Sequence, residues 1–139
     1  MRLLNINGKL VNKNVRKNII NWEGKSRSKL QFQFKQFFYP LWKNHIVYEE
    51  FPVYGTMLKV DFLNATKKIA VEIQGNQHES FNKFFHDGSR LKYLQSIKRD
   101  VKKVKWLEMN NFKFLELYEN DLVNLSPQYI EEKCGIYII

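Results

Sequence analysis

The sequence predicts an α/β domain built on a mixed central sheet of about four strands flanked by helices. Three observations carry this. A stripe of apolar residues at helical spacing comes first, three short alternating segments then follow one another directly, and a long helical segment separates the third from a fourth. The order α-β-β-β-α-β belongs to an α/β fold rather than to a bundle or a sandwich. Strands joined by short turns pair antiparallel, whereas the helical crossover before the last strand implies parallel pairing of the third and fourth.

The first helix is predicted over 28–39. Ser26 or Ser28 supplies the cap, Leu30, Phe34, Phe37, Phe38 and Leu41 form the apolar stripe, and Pro40 falls near the end. Strands follow near 46–53, 57–63 and 68–74, with turns at Tyr54-Gly55-Thr56 and at Asn64 to Lys68. Asn64-Ala65-Thr66 matches a glycosylation sequon, but without a secretory signal it reads as turn chemistry. A basic helical segment ends at Asn110-Asn111, 112–118 alternates as the fourth strand, and a C-terminal helix is expected around 119–133. Residues 1–25 form a basic N-terminal segment or hairpin, with Asn7-Gly8 as a turn signal, and 26–139 form the α/β domain.

Composition narrows the function. The 139 residues carry a net charge of +9, with 44% apolar and 15% aromatic residues, so the chain is globular and strongly basic. Such a surplus, spread along the chain rather than held in a tail, points to a polyanionic partner on a folded basic face; a merely solubilising surface charge is the plainer alternative. No apolar run reaches the roughly 20 residues of a membrane span. One cysteine excludes an internal disulfide and fits a reducing, cytoplasmic compartment.

The stretch "VDFLNATKKIAVEIQGNQH" carries the chemistry. A hairpin turning between Thr66 and Lys67 pairs Phe62 with Val71 and Val60 with Ile73 on a core face. Asp61 then opposes Glu72, and Lys59 opposes Gln74, on the other face. Directly opposed side chains have Cβ atoms about 4.5–5.5 Å apart, so two carboxylates there need a proton or a cation. Mg²⁺ (or Mn²⁺) uses one or two carboxylates together with water and substrate phosphate, which makes this pair a candidate metal site. The bland reading is two solvent-facing acids paired to lysines such as Lys59. Gly75 permits a tight bend, and His78 lies just past the strand end as a general base or water-orienting group. Asp100 and Lys103 share a helix face, either beside the site or as a surface pair. Lys98, Arg99, Lys102, Lys103 and Lys105 are the candidate phosphate contacts.

These pieces resemble the PD-(D/E)XK nuclease superfamily, in the branch around very-short-patch-repair endonucleases and related phage-encoded, homing-type enzymes. The resemblance runs over about 28–118 through Asp61-Phe62, Glu72-Ile73-Gln74-Gly75-Asn76-Gln77-His78, Arg99-Asp100-Val101-Lys102-Lys103 and Asn110-Asn111-Phe112. It implies a restriction-endonuclease-like core and a Mg²⁺-dependent DNA endonuclease, nicking or structure-selective, acting in the cytoplasm of a bacterial host. Asp61 and Glu72 would ligate the metal, with His78 near the reacting water and Gln77 and Asp100 in support. Gln74 stands where the superfamily has a lysine, and Lys59 could supply the missing charge. The first helix carries Gln31, Gln33 and Gln36 where relatives place a glutamate, so Glu50 is the expected substitute ligand, with Glu49 on the core side. Two rivals stand beside this reading: a catalytically degenerate nucleic-acid binder of the same fold, and a protein-interaction module. A second copy of the chain or another protein stays open as a partner.

Overall fold

The computed structural model describes residues 1–75 and 101–139. In chain order the elements are strands β1 (Arg2–Leu4) and β2 (Leu10–Asn12), helix α1 (Lys29–Trp42), strands β3 (Val47–Pro52), β4 (Lys59–Asn64) and β5 (Ile69–Gln74), helical residues 101–109 (α2), strand β6 (Lys113–Tyr118) and helix α3 (Pro127–Cys134). The main sheet is ordered β3-β4-β5-β6. Its first three strands are antiparallel, and β6 lies parallel to β5. This is the mixed four-strand sheet expected from the sequence, with a second small sheet of β1 and β2 beside it.

Each local element has a local cause. Ser28 Oγ accepts from the Gln31 amide at 3.1 Å and starts α1. The helix does not stop at Pro40 as expected but continues to Trp42. A proline removes one intrahelical donor, yet burial outweighs that loss: Trp42 is fully buried, and its Nε1 donates to the Ile138 carbonyl at 2.7 Å. The β3–β4 turn places Gly55 at φ +88°, with the Thr56 amide donating to the Val53 carbonyl at 3.0 Å, which suits glycine at the third position of a type II turn. The first hairpin does not use a two-residue turn at Asn7-Gly8. The Asn5 and Lys9 backbones pair, and the three residues between end on Gly8 at φ +84°, the pattern of a type I turn closed by a glycine bulge. The expected 119–133 helix divides into a 3₁₀ stretch, Glu119–Asn124, and α3, because Ser126 caps a fresh start with Pro127 at its first position. Asn64 is fully buried and binds the Lys67 amide, so the sequon is turn chemistry.

Two apolar layers cover the sheet. On one face Phe34, Phe38 and Trp42 of α1 pack with Phe62, Val71, Leu115 and Ile130. On the other Trp106 and Leu107 of α2 pack with Phe51, Val60, Leu63 and Leu3 of the first hairpin. That hairpin is tied down as well: Trp106 Nε1 donates to the Leu4 carbonyl at 2.7 Å, and the Leu4 amide donates to Asn110 Oδ1 at 2.8 Å. Among the described residues no helix is long and apolar enough to cross a membrane.

Candidate functional site

The site forms where the pleat of two strands turns over. Glu50 has φ +55°, a left-handed conformation uncommon for a side chain of its size. Before it, Val47 faces α1; after it, Phe51 and Val53 face α2. Strand β4 follows, with Phe62 toward α1 and Val60 toward α2, so Val60 does not share the face of Phe62 and Ile73 as the simple alternation predicts. The pairs Glu49↔Phe62 and Phe51↔Val60 flank the break, so the register is continuous and no residue is inserted. Asn18 Nδ2 donates to the Glu50 carbonyl at 3.0 Å and holds the strained peptide.

Strand β5 does not turn over: Ile69, Val71 and Ile73 all face α1. It therefore pairs with β4 from Asn64↔Ile69 only as far as Phe62↔Val71. Beyond that point the carboxylates take over from carbonyls. Glu72 Oε2 accepts from the Asp61 amide at 3.1 Å, and Asp61 Oδ2 accepts from the Ile73 amide at 2.8 Å. The two acids meet as the hairpin register predicts, but they are buried rather than solvent-facing. Each has one oxygen anchored to the neighbouring strand and one turned to a cation. Asp61 Oδ1 lies 3.3 Å from Arg27 Nη2, and Glu72 Oε1 lies 2.5 Å from Lys103 Nζ.

This crowding has an electrostatic signature. Burial, then the Glu72 carboxylate, pushes the Asp61 carboxyl up to about 8, against the lowering effects of the Ile73 amide and Arg27. A carboxyl raised on folding binds its proton more tightly in the native state, so stability is greatest below the ordinary carboxylate pKa and declines as pH rises through about 8. Metal-free protein is expected to melt at progressively lower temperature between about pH 4 and pH 8, with the slope flattened in Asp61→Asn. Thermal melts in chelator across that range check this; an Asp61→Asn profile as steep as the wild type would refute the assignment.

A cavity of about 730 Å³ opens over the pair, lined by Arg27, Glu50, Lys59, Gln74, Gly75 and Lys103 among others. Lys59 is exposed on its lip and takes Pro52 as its ladder partner, whereas the sequence reading opposed it to Gln74. Lys103 therefore supplies the charge against Glu72 that was expected of Lys59. Lys102 and Lys105 are exposed on the same helix. His78, Gln77, Lys98, Arg99 and Asp100 lie outside the described residues.

The sequence reading missed the shell behind the acids. Buried Gln31 donates from Nε2 to Glu49 Oε2 at 2.9 Å and to Glu50 Oε1 at 3.1 Å. Lys35, only 1% exposed, pairs with Glu49 Oε1 at 2.8 Å, and Ser26 Oγ donates to Glu49 Oε2 at 2.7 Å. Glu50 is thus on the cavity side and Glu49 is turned toward α1, as alternation predicts, but Glu49 is neutralised by a buried ammonium rather than surrounded by hydrocarbon. Arg27 bridges Asp61 and Glu50, its Nε lying 3.9 Å from Glu50 Oε1.

Among the described residues no three His, Cys, Asp or Glu side chains are gathered as a metal site, so Glu50 lines the cavity without joining Asp61 and Glu72 in one cluster. In comparison with known proteins, no family model, no curated protein and no solved structure matches this chain.

Proposed function

We propose that the protein is a metal-dependent DNA endonuclease with a restriction-endonuclease-like core, and that Asp61 and Glu72 form its metal site. One observation carries the reading: two buried carboxylates from adjoining strands meet, each turning one oxygen to a cation that lines an open cavity. The donors suit the ion. Both are hard oxygens, their mutual repulsion is relieved by a cation, and Mg²⁺ needs only one or two carboxylates when phosphate and water complete its shell. The antiparallel β4–β5 hairpin followed by a helix and parallel β6 supports the core assignment.

The residues divide the work. Asp61 and Glu72 would hold the ion, which when bound supplies polarisation of the phosphodiester and a more acidic water. Gln74 lines the cavity and can orient that water by hydrogen bonds, and His78 is the proposed base. Lys103, 2.5 Å from Glu72 Oε1, would stabilise charge developing on the phosphate, and the exposed Lys59, Lys102 and Lys105 would hold the backbone. A second reading, a binder that has lost the chemistry, is favoured by Gln74 in place of a lysine and by acids already neutralised by the chain's own cations.

The test is supercoiled plasmid incubated with the protein and Mg²⁺. Nicking that chelator abolishes is expected; DNA binding with no saturable metal uptake would instead identify the non-catalytic binder. Lys103→Met is expected to slow nicking by about 10²–10³, the usual cost of one transition-state donor. Lys59→Met, out on the lip, should lose less than about tenfold, as a phosphate contact screened by solvent. Equal losses from the two would remove the distinction drawn between them.

A further inference from the structure

Arg27 belongs to two cavities at once. It reaches Asp61 and Glu50 in the acid cavity. It also lines a neighbouring cavity of about 450 Å³, together with Lys25, Ser26, Lys29 and Phe32. The two cations on the acid pair are unlike each other. The Lys103 side chain is 18% exposed and sits 2.5 Å from Glu72, whereas the Arg27 side chain is 64% exposed and makes its closest contact with Asp61 at 3.3 Å. A long, solvent-screened ion pair contributes little net stability, so Arg27 is the cation that can leave.

We infer that Arg27 is an exchangeable latch on the metal site, released by the phosphodiester backbone of a polynucleotide. In the free protein its guanidinium occupies Asp61 Oδ1, the oxygen a divalent ion would need. A phosphodiester entering the adjoining basic cavity offers two non-bridging oxygens that the planar guanidinium binds through two parallel N–H donors, a geometry unavailable to lysine. Transfer of Arg27 to that phosphate frees Asp61, and metal affinity rises only when a strand is in place. Glu50 loses the same partner, which adds negative potential to the cavity at that moment. Linkage makes the effect reciprocal, so metal must tighten polynucleotide binding by the same factor. The latch is a positioning role and rests on the metal-site reading proposed above.

The experiment is calorimetric titration of Mn²⁺ into wild-type protein, R27Q and R27K, each alone and with a short DNA oligonucleotide, with D61N as the control for site identity. In the wild type the oligonucleotide is expected to tighten Mn²⁺ binding about tenfold, within the ordinary range of coupling between sites. R27Q alone should bind Mn²⁺ more tightly than wild-type protein alone, and most of the oligonucleotide's effect should disappear. R27K, which keeps the charge without the fork, should lie between. If R27Q alone binds Mn²⁺ no tighter than the wild type, the latch is overturned while the metal site stands. If no protein shows Mn²⁺ uptake sensitive to D61N, the metal site itself falls, and the latch with it. Inorganic phosphate matching the oligonucleotide effect would overturn the polynucleotide as the releasing ligand.

Discussion

Asp61→Asn is expected to lower DNA nicking by about 10³ or more and, in the same metal-free protein at pH 8, to raise the melting temperature. The two effects have one cause. The asparagine Oδ1 can still accept from the Ile73 amide, so the bond that replaces the sheet ladder survives. What is lost is a buried negative charge facing a second one, whose like-charge repulsion and desolvation oppose folding. The Arg27 guanidinium that loses its partner is mostly in solvent, so the pair forgone stabilises little. DNA binding should persist or strengthen, because a negative charge is removed from the cavity proposed to take the phosphate. Glu72→Gln should likewise stop nicking but gain less stability, since it strips Lys103 of its anion. Nicking assays and melts on one preparation decide the matter. A variant that loses stability along with activity would mark Asp61 as a structural ion-pair partner instead.

Glu49→Leu is expected to cost about 3–5 kcal/mol, the loss typical of breaking a buried ion pair on one side. At roughly 3–4 °C per kcal/mol for a chain of this size, that is a fall of about 9–20 °C in melting temperature. The reason is Lys35. Its ammonium is buried between the Gly24 carbonyl, at 3.0 Å, and Glu49, and no solvent replaces the lost carboxylate. Ser26 loses its acceptor together with it, and Gln31 loses one of its two. A Lys35→Met/Glu49→Leu double variant should recover much of the loss, because matched apolar groups need no partner. Thermal unfolding of the four proteins closes the cycle, and a Glu49→Leu protein within about 1 kcal/mol of the wild type would show that the pair is dispensable.

What the sequence made legible follows physical range. A turn centred between Thr66 and Lys67 set Phe62 opposite Val71, and alternation supported it, because a one-residue slip would have put Asp61 and Glu72 on the core face. The parallel β5–β6 pair followed from the crossover, and the meeting of the two acids followed from the register. Val60 was placed on the wrong face because the pleat turns over at Glu50, and no local residue type announces a left-handed glutamate. The same break explains why Lys59 does not sit across from Gln74. Burial of the acids was hidden too, since a strand with polar residues at alternate positions reads as solvent-facing until a helix such as α2 is known to cover it. Arg27, Gln31 and Lys35 come from a loop and a helix distant in sequence, so only tertiary structure brings them to the strand acids. The division after Asn124 was readable in Ser126-Pro127, a cap followed by a proline at the first helical position.

The most direct measurement is a crystal soaked in Mn²⁺ and read for anomalous scattering. One peak within about 2–2.5 Å of both Asp61 Oδ1 and Glu72 Oε1, with Arg27 drawn away and the peak lost in Asp61→Asn, is the expected result. Mn²⁺ found only elsewhere, with Arg27 and Lys103 still seated on the two acids, would contradict it.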